Sequence, residues 1–350
     1  MSAPAPLMFS QAAVATAERL GLSLGKANLE EFATTLLALA REDRQILVVT
    51  SDSRGSGRLA PFGQALPEQL IEVGIAEQNL VGIAAGLAAA GKKPFAVSPA
   101  CFLTARALEQ IKNDVCYSNV PAKVVGISAG VSYGALGSTH HSLHDLAALR
   151  AIHNISLIVP ADNFETREAV RAAAVASRPV YLRFGKAPMY GLCTQQAHFQ
   201  VGRANVLRDG DDVAFLSSGE TVVHALLAAA NLEQLGLECR VLSLHTIKPL
   251  DAEAVLQAGR QCRAVVTVEE HSIHGGLGEA CAAILMQAGV VVPMRIVGLP
   301  DEDTVTGSQA DIFRHYGISM EGLVRTALDL LESAPVSSAF QRPRTSAATP

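Results

Sequence analysis

Two tracts of the chain, separated by a short irregular segment, each alternate continuously apolar runs with segments of helical periodicity. Ile46–Thr50 is typical: it is apolar and β-branched, follows a helical repeat, and ends in a Gly/Ser loop. Strands that are apolar on both faces are typical of parallel sheets, which need helical crossovers between successive strands. The alternation therefore predicts an α/β fold with mostly parallel sheets covered by helices.

We expect two tandem domains, at residues 26–186 and 201–332. The connecting residues 187–200 contain Gly and Pro without periodicity and are interpreted as a linker. Residues 1–25 are expected to be a loose lead-in, and the Ser/Pro/Ala-rich residues 333–350 a disordered tail. Strands are predicted at about 46–50, 94–98, 122–128, 156–159, 180–184, 213–217, 238–243, 264–269 and 291–297, and one long helix at about 104–117.

Composition excludes several classes of protein. The chain is 49% hydrophobic and 17% charged, with a formal net charge of -5, which favours a core-rich globular protein and argues against a nucleic-acid partner. The six cysteines form no Cys-x-x-Cys pair, so we interpret them as buried free thiols of a reducing compartment. Neither a secretory signal nor an apolar run of membrane-spanning length is evident. We therefore expect a cytoplasmic protein without a membrane partner.

Glu77 has the most unusual sequence context of the acidic residues. It precedes the small-residue apolar run Leu80–Gly91, so its carboxyl group is expected to face Gly and Ala rather than water. Desolvation raises the pKa of a carboxyl group, which can then stay protonated at neutral pH and donate a hydrogen bond to a ligand nitrogen. The alternative is a charged carboxylate stabilised by the helix dipole. The pattern alone leaves both interpretations open.

Six segments carry a series of motifs in a fixed order. They are Val73–Asn79 with Gly82–Gly91, Phe102–Ala107, Ser138–His141, Val159–Asp162, Leu244–Leu250, and Val268–His271 with Gly275–Gly278. Read together, these segments resemble the C-terminal half of transketolase and of deoxyxylulose-phosphate synthase. The resemblance covers about residues 28–331 and depends on the order of the series, because any one motif alone is weak.

The resemblance implies a thiamine-diphosphate pyrimidine-binding fold followed by a transketolase C-terminal-like domain. Transketolases also bind the coenzyme diphosphate and Mg²⁺ through a G-D-G signature with a distant Asn, which we do not find in this sequence. The chain thus resembles the C-terminal subunit of a split transketolase, whose N-terminal partner subunit supplies the diphosphate-binding domain and Mg²⁺. By analogy, this chain would form a homodimer within a heterotetramer that transfers a two-carbon ketol unit from a ketose to an aldose.

For the cofactor, the resemblance assigns roles by position. Glu77 would hydrogen-bond the aminopyrimidine ring of thiamine diphosphate, and Phe102 would stack on that ring. Arg106, one helical turn after Phe102, would support the site or pair with an acidic neighbour. Asp52 matches a position near the cofactor at the boundary between subunits. The alternatives are a core phenylalanine at Phe102 and a plain turn aspartate at Asp52.

For the substrate, the resemblance points to His140 and Arg183. His140 would bind sugar hydroxyls and move protons, as a catalytic residue beside Glu77. Arg183 would grip the anionic end of the substrate, with a surface strand-end arginine as the alternative. His140 and His144 also have a spacing suited to zinc, but no Glu base lies between them, so no metal ligand is assigned to this chain.

Two positions depart from the family pattern. Leu136 replaces an acidic residue of the loop that leads to the Thr–His pair, and Ser128 replaces a histidine after the preceding strand. Both positions are expected to face the substrate. The loss of hydrogen-bonding groups there can redirect substrate choice, so a modified, branched or sulfonated ketose with an anionic tail is expected.

Gly275–Gly278, after Glu269, follows a predicted strand and opens a predicted helix. A helix N-terminus can bind an anion, but this turn lacks the full dinucleotide fingerprint. The resemblance implies instead that the second domain is mainly structural and helps dimerisation.

Two other functions remain open at this point. One is the beta subunit of a 2-oxo acid dehydrogenase complex, although Ile75–Asn79 fits transketolases better than the C-E-Q pattern of those subunits. The other is a non-catalytic paralogue, which the changes at Leu136 and Ser128 allow and which Glu77 and His140 argue against.

Overall fold

The computed structural model describes residues 8–192 and 198–333. Two large sheets and one small strand pair form its framework, and most neighbouring strands of the large sheets run parallel. The predicted α/β fold with mostly parallel sheets is confirmed. In chain order the strands are β1 (Leu24–Ala27), β2 (Ile46–Thr50), β3 (Leu70–Glu72), β4 (Lys93–Pro99), β5 (Lys123–Ile127), β6 (Ser156–Ile158), β7 (Val180–Phe184), β8 (Pro188–Tyr190), β9 (Asn205–Arg208), β10 (Val213–Ser217), β11 (Cys239–Ser243), β12 (Thr246–Lys248), β13 (Ala264–Ser272) and β14 (Met294–Leu299).

Helices connect these strands and pack on their faces. In chain order they are α1 (Gln11–Arg19), α2 (Asn28–Glu42), α3 (Ala60–Ala65), α4 (Glu77–Ala89), α5 (Ala100–Arg106), α6 (Leu108–Gln110), α7 (Asp145–Ala151), α8 (Asn163–Val175), α9 (Thr221–Glu233), α10 (Ala252–Gln261), α11 (Leu277–Gln287), α12 (Gln309–His315) and α13 (Met320–Ser333). Short 3₁₀ turns occur at Pro67–Gln69 and Gly134–Leu136.

The first domain is built around a seven-stranded sheet in the order β12-β6-β7-β5-β4-β2-β3. Adjacent residues of β2 enter different hydrophobic clusters: Val48 packs with α2, α3 and α8, whereas Val49 packs with α4, α5 and α7. Successive side chains of a strand point to opposite faces, so helices cover both faces of this sheet. This double burial explains why its strands are continuously apolar in the sequence.

The second domain is built around a five-stranded sheet in the order β14-β13-β10-β11-β9. Its central strand, β10, is fully buried and parallel to both neighbours, with Val213 opposite Cys239 and Ala264. Strand β9 closes one edge in the antiparallel direction. The buried β10 is therefore the centre of the second core.

Strand β12 joins the two domains. It belongs to the second tract of the sequence, yet it pairs antiparallel with β6 of the first sheet, with Thr246 opposite Ile158. Leu244 and Ile247 enter the same hydrophobic cluster as Leu157 of β6. The domains are therefore held together by a strand pair and a continuous core.

The prediction that residues 1–25 form a loose lead-in is wrong for the described part of that segment. Helix α1 is capped by Ser10, whose Oγ accepts a hydrogen bond from the Ala13 backbone N–H at 3.0 Å. Ala13, Ala17 and Phe9 are buried against the second domain. An alanine face shows no repeat of large apolar residues, which is why periodicity did not reveal this helix. Strand β1 follows and pairs with β8 of the predicted linker.

The long helix expected at about 104–117 is also wrong. Helix α5 ends at Arg106, α6 is short, and Ile111–Tyr117 continues as a π-helical segment. Five of the six cysteines are buried free thiols, as predicted, whereas Cys193 and residues 334–350 lie outside the described residues. Among the residues that the structure describes, no helix combines the length and apolar character needed to span a bilayer.

Candidate active site

Three of the predicted site residues lie where parallel strands of the first sheet end. Glu77 begins α4 just after β3, Phe102 lies in the first turn of α5 after β4, and His140 lies in the loop after β5. Loops at the carboxyl ends of parallel strands form the ligand-binding edge of open α/β sheets. The site is therefore placed by topology as well as by motif.

Glu77 is buried, with 4% of its side chain exposed. Nη1 of Arg106 lies 3.0 Å from each of its two carboxylate oxygens. Glu77 therefore does not face only Gly and Ala, and Arg106 has the acidic neighbour that was one of the two roles expected of it. In this structure Glu77 is thus one half of an ion pair at a helix N-terminus.

Three aromatic rings pack against one another in this region and are connected to Glu77 through Arg106. The ring of His140 lies 5.3 Å from that of Phe102 and 5.4 Å from that of Tyr133, both in edge-on geometry. The guanidinium carbon of Arg106 lies 4.5 Å from the centroid of Phe102, over the ring. Nδ1 of His140 lies 2.9 Å from Thr139 Oγ1. Glu77, Arg106, Phe102 and His140 thus form one connected cluster.

Lys186 belongs to the same cluster and was missed by the sequence analysis. Its Nζ lies 4.6 Å from the centroid of Tyr133, within the range of a cation–π contact. Partial burial, followed by the positive charge of Arg58, lowers the pKa of Lys186 from its ordinary value. The available signal was its position just past the end of β7. Two cations near each other can together attract an anionic group.

Arg183 lies elsewhere, so the expectation that it grips substrate is corrected. Its side chain is 5% exposed, and its Nε donates to Asp145 Oδ2 at 2.8 Å. Its Nη2 donates to the backbone oxygens of Ser142 and Glu270 at 3.0 and 2.9 Å. Burial alone would raise the pKa of Asp145, but the positive charge of Arg183 holds it below its ordinary value. Arg183 therefore links strand β7, helix α7 and the second domain.

Three further predicted residues have different surroundings. Ser128 is fully buried at φ 52 and interacts with the side chain of Tyr133, so its contact with substrate stays a prediction. Leu136 is 56% exposed in the loop that carries His140. Asp52 is exposed, and its backbone N–H donates to Glu72 at 2.7 Å. Ser128 and Leu136 both lie in the segment after β5 that contributes the rings of Tyr133 and His140 to the cluster.

The second domain holds the loop that carries Tyr133 and His140. Glu270 accepts a hydrogen bond from the Val131 backbone N–H at 2.8 Å, and Gln309 Nε2 donates to Glu270 at 2.9 Å and to Glu220 at 3.2 Å. Burial raises the pKa of Glu270 to about 7, and burial with the charge of Glu270 raises the pKa of Glu220 well above its ordinary value. The second domain therefore contributes to the position of the site loop.

The Gly275–Gly278 turn is already occupied by the chain itself. Glu269 accepts hydrogen bonds from the backbone N–H groups of Leu277 and Gly278 at 2.7 and 2.8 Å. A Cβ added at Gly276 would lie 1.9 Å from a carboxyl oxygen of Glu269. The N-terminus of α11 thus binds an internal carboxyl group. The interpretation of this turn as a loop that binds an external anion is therefore wrong.

No group of three or more His, Cys, Asp or Glu side chains suited to a metal ion occurs in residues 8–192 and 198–333. His144 Nε2 instead lies 3.3 Å from Thr104 Oγ1. His140 contacts rings and Thr139, as described above. The described part of the chain offers aromatic and charged groups for an organic ligand.

Comparison with known proteins identifies relatives of this architecture. Family models of the pyrimidine binding domain and the C-terminal domain of transketolase match residues 26–190 and 202–323. An apulose-4-phosphate transketolase subunit from Phocaeicola vulgatus is 46% identical over 304 residues, which cover 87% of this chain and 97% of that protein. A 6-deoxy-6-sulfo-D-fructose transketolase subunit from a Clostridium species is 35% identical over 303 residues, covering 87% and 94%. A solved split-gene transketolase, described as an inactive beta4 tetramer, matches with a TM-score of 0.79 and 35% identity, covering 89% of this chain and all of that one.

Proposed function

The chain belongs to the transketolase family, and we propose that it acts as one subunit of a split, thiamine-diphosphate-dependent enzyme. The reaction is the transfer of a two-carbon ketol unit from an anionic ketose to an aldose acceptor. The observation that carries the proposal is a buried carboxylate, Glu77, beside an aromatic platform, Phe102, where the parallel strands end.

The residues fit the aminopyrimidine half of thiamine diphosphate. Glu77 offers a water-shielded carboxyl group to a ring nitrogen, and Phe102 offers a half-buried ring for stacking. The bound coenzyme supplies an electron sink for breaking and forming the carbon–carbon bond. Glu77 would hold a proton at the ring nitrogen, which a carboxyl group can do when it is shielded from water.

His140 is proposed to bind and orient the sugar. Its ring is half-buried between Phe102 and Tyr133, which fixes the ring plane. An imidazole ring can both accept and return a proton at a substrate hydroxyl. Because Thr139 contacts Nδ1, the other ring nitrogen, Nε2, would face the substrate.

The anionic tail of the substrate is proposed to bind Lys186 and Arg58 rather than Arg183. Lys186 is exposed beside Tyr133, whereas Arg183 is engaged with Asp145. The named substrates of the Phocaeicola vulgatus and Clostridium relatives carry a phosphate and a sulfonate. Leu136 gives the loop an apolar surface in the same region. These observations favour a phosphorylated or sulfonated ketose that is modified near the reacting carbons.

A separate N-terminal subunit is proposed to bind the diphosphate and Mg²⁺ and to complete the active site. The Phocaeicola vulgatus relative is named a subunit and is matched over 97% of its length. Ile75 and Tyr117 are 75% and 79% exposed, and Gly82 and Gly86 of α4 have open space around them. Exposed apolar side chains next to small residues suit close helix packing, so this surface is proposed for the assembly of the subunits. The expected assembly is a cytoplasmic heterotetramer with two copies of each subunit.

The proposal is tested by reconstitution. The chain is mixed with a partner polypeptide that carries the G-D-G signature, with thiamine diphosphate, Mg²⁺ and a panel of ketose phosphates and sulfonates. We expect ketol transfer that needs both polypeptides and falls about 10²–10⁴-fold in Glu77→Gln. Glu109→Gln, at an exposed position after α5, is the matched control. Turnover of 2-oxo acids with lipoamide would favour the dehydrogenase subunit, and no turnover with any donor would favour a non-catalytic paralogue.

A further inference from the structure

The Arg106 side chain makes both contacts that the aminopyrimidine ring would make. Its Nη1 lies 3.0 Å from each oxygen of Glu77, and its guanidinium carbon lies 4.5 Å from the centroid of Phe102. Resting on the proposed function, we propose that Arg106 occupies the place of the aminopyrimidine ring in the subunit without coenzyme, and that the coenzyme must displace it.

A guanidinium is well suited to this place. It is planar, carries N–H donors that match a carboxylate, and stacks on aromatic faces. The aminopyrimidine ring is also planar and also combines nitrogen atoms that hydrogen-bond a carboxyl group with a face that stacks. One side chain therefore satisfies the same two groups, Glu77 and Phe102, by the same two kinds of contact.

There is a physical reason for Arg106 to take the place of the coenzyme ring in the subunit without coenzyme. Glu77 is 4% exposed, and a buried carboxylate without a partner is strongly destabilising. Arg106 supplies that partner when no ligand is bound. The same contact that stabilises the free subunit then opposes coenzyme binding, because Glu77 and Phe102 cannot serve both groups at once.

Arg106 is placed so that it can leave. It is the last residue of α5, and 49% of its side chain is exposed. In the described part of the chain, both of its hydrogen bonds go to Glu77. On leaving Glu77, the guanidinium can enter water without breaking any other hydrogen bond of the described structure. Its departure therefore affects the ligand site and little else.

The two states predict a measurable difference in coenzyme affinity. A protein whose binding-competent state is only partly populated shows a weakened apparent affinity, and removal of the competing contact restores it. Arg106→Met keeps an unbranched side chain but removes the charge and the donors. We expect it to bind thiamine diphosphate about three- to tenfold more tightly, the scale set by one partly exposed cation contact.

The experiment measures the dissociation constant of thiamine diphosphate with Mg²⁺ by calorimetry, in the two-subunit complex, for the wild type and for Arg106→Met. Arg178→Met is the control, since Arg178 is an exposed arginine of the same domain that precedes β7. Tighter binding by Arg106→Met alone supports displacement. Equal or weaker binding by Arg106→Met overturns it, and weaker binding would make Arg106 a positioning residue for Glu77.

A second measurement does not need the coenzyme. In the isolated subunit, Arg106→Met leaves Glu77 buried without its partner, so the melting temperature should fall, and Glu77→Gln should restore part of the loss in the double variant. Additive effects of the two substitutions would contradict the pair. If the wild-type complex binds no coenzyme while the two substitutions are non-additive, the proposed function is wrong and the ion pair is supported. If the wild-type complex binds the coenzyme and Arg106→Met binds it no more tightly, only the proposed displacement of Arg106 is wrong.

Discussion

Arg183 and Asp145 form an ion pair that is almost completely buried, with Nε 2.8 Å from Oδ2. Tyr181 donates a hydrogen bond to the same carboxylate at 2.7 Å, and the guanidinium also reaches the backbone oxygen of Glu270 in the second domain. A residue of this kind holds two domains in register. The family position that was expected to bind substrate is therefore part of the framework beneath the site.

Arg183→Met should lower the stability of the folded chain, and its primary effect should not be on substrate binding. Removal of one partner leaves Asp145 buried and charged, which typically costs about 3–5 kcal/mol. Urea unfolding of the subunit measures the loss, with Arg178→Met as the control. If Arg183→Met has unchanged stability and a raised KM for the ketose, Arg183 binds substrate after all and this account of it is contradicted.

Lys186→Met should weaken substrate binding and leave the stability of the chain nearly unchanged, the opposite of Arg183→Met. Lys186 is exposed beside Tyr133, so its loss should leave stability nearly unchanged. A hydrogen bond to a charged group contributes about 1.5–3 kcal/mol, so KM for an anionic ketose should rise about 10- to 150-fold. Steady-state kinetics of the two-subunit enzyme measure this, with half-buried Lys92→Met as the control. Equal KM values for Lys186→Met and the wild type would remove Lys186 from the site.

The raised pKa of Glu270 predicts a pH dependence of stability. The folded chain holds a proton on Glu270 up to about pH 7, whereas the unfolded chain releases it near the ordinary pKa of glutamate. Between these values the folded state binds more protons, so this contribution to stability is present at low pH and is lost as the pH rises through about 7.

Glu270→Gln removes that titration and keeps a hydrogen-bonding side chain. Relative to the wild type, its free energy of unfolding should therefore improve between about pH 5 and pH 8, while contributions of groups other than Glu220, whose pKa responds to the charge of Glu270, cancel in the difference. Urea unfolding at a series of pH values gives that difference. A constant difference over this range would show that Glu270 does not titrate there.

Gly130 and Gly91 allow a matched test of the loop contact. Both have positive φ, at 62 and 82, so alanine is strained at either position. A Cβ at Gly130 would also lie 2.2 Å from Cδ of Glu270, whereas nothing lies within 4 Å of one at Gly91. Gly130→Ala should therefore destabilise the chain by about 1–3 kcal/mol more than Gly91→Ala, measured by denaturant unfolding. Equal losses would argue against the Glu270 contact.

Much of the fold followed from the sequence because burial on both faces leaves a visible pattern. The apolar runs Ile46–Thr50 and Val213–Ser217 became the predicted strands without a change of boundary. Strand Thr246–Lys248 gave no such signal, because a three-residue antiparallel edge strand depends on its partner in the other tract. Helix α1 was missed because alanine packs closely without a large apolar repeat.

Only part of the candidate site could be predicted from the sequence. The order of motifs placed Glu77, Phe102 and His140 in one cluster, and the structure brings them together. The sequence could not distinguish Arg183 from Lys186, because both lie near the end of β7 and only the folded chain shows which is buried. The partner of Glu77 was equally hidden, since it lies 29 positions away.

The most direct test of the central claim is a crystal structure of the two-subunit complex with thiamine diphosphate and Mg²⁺, from which the distance between Glu77 and the aminopyrimidine ring is measured. We predict that a carboxyl oxygen of Glu77 lies about 2.6–3.2 Å from a ring nitrogen, with the ring stacked on Phe102. A coenzyme ring bound beyond hydrogen-bonding distance of Glu77 would contradict the account.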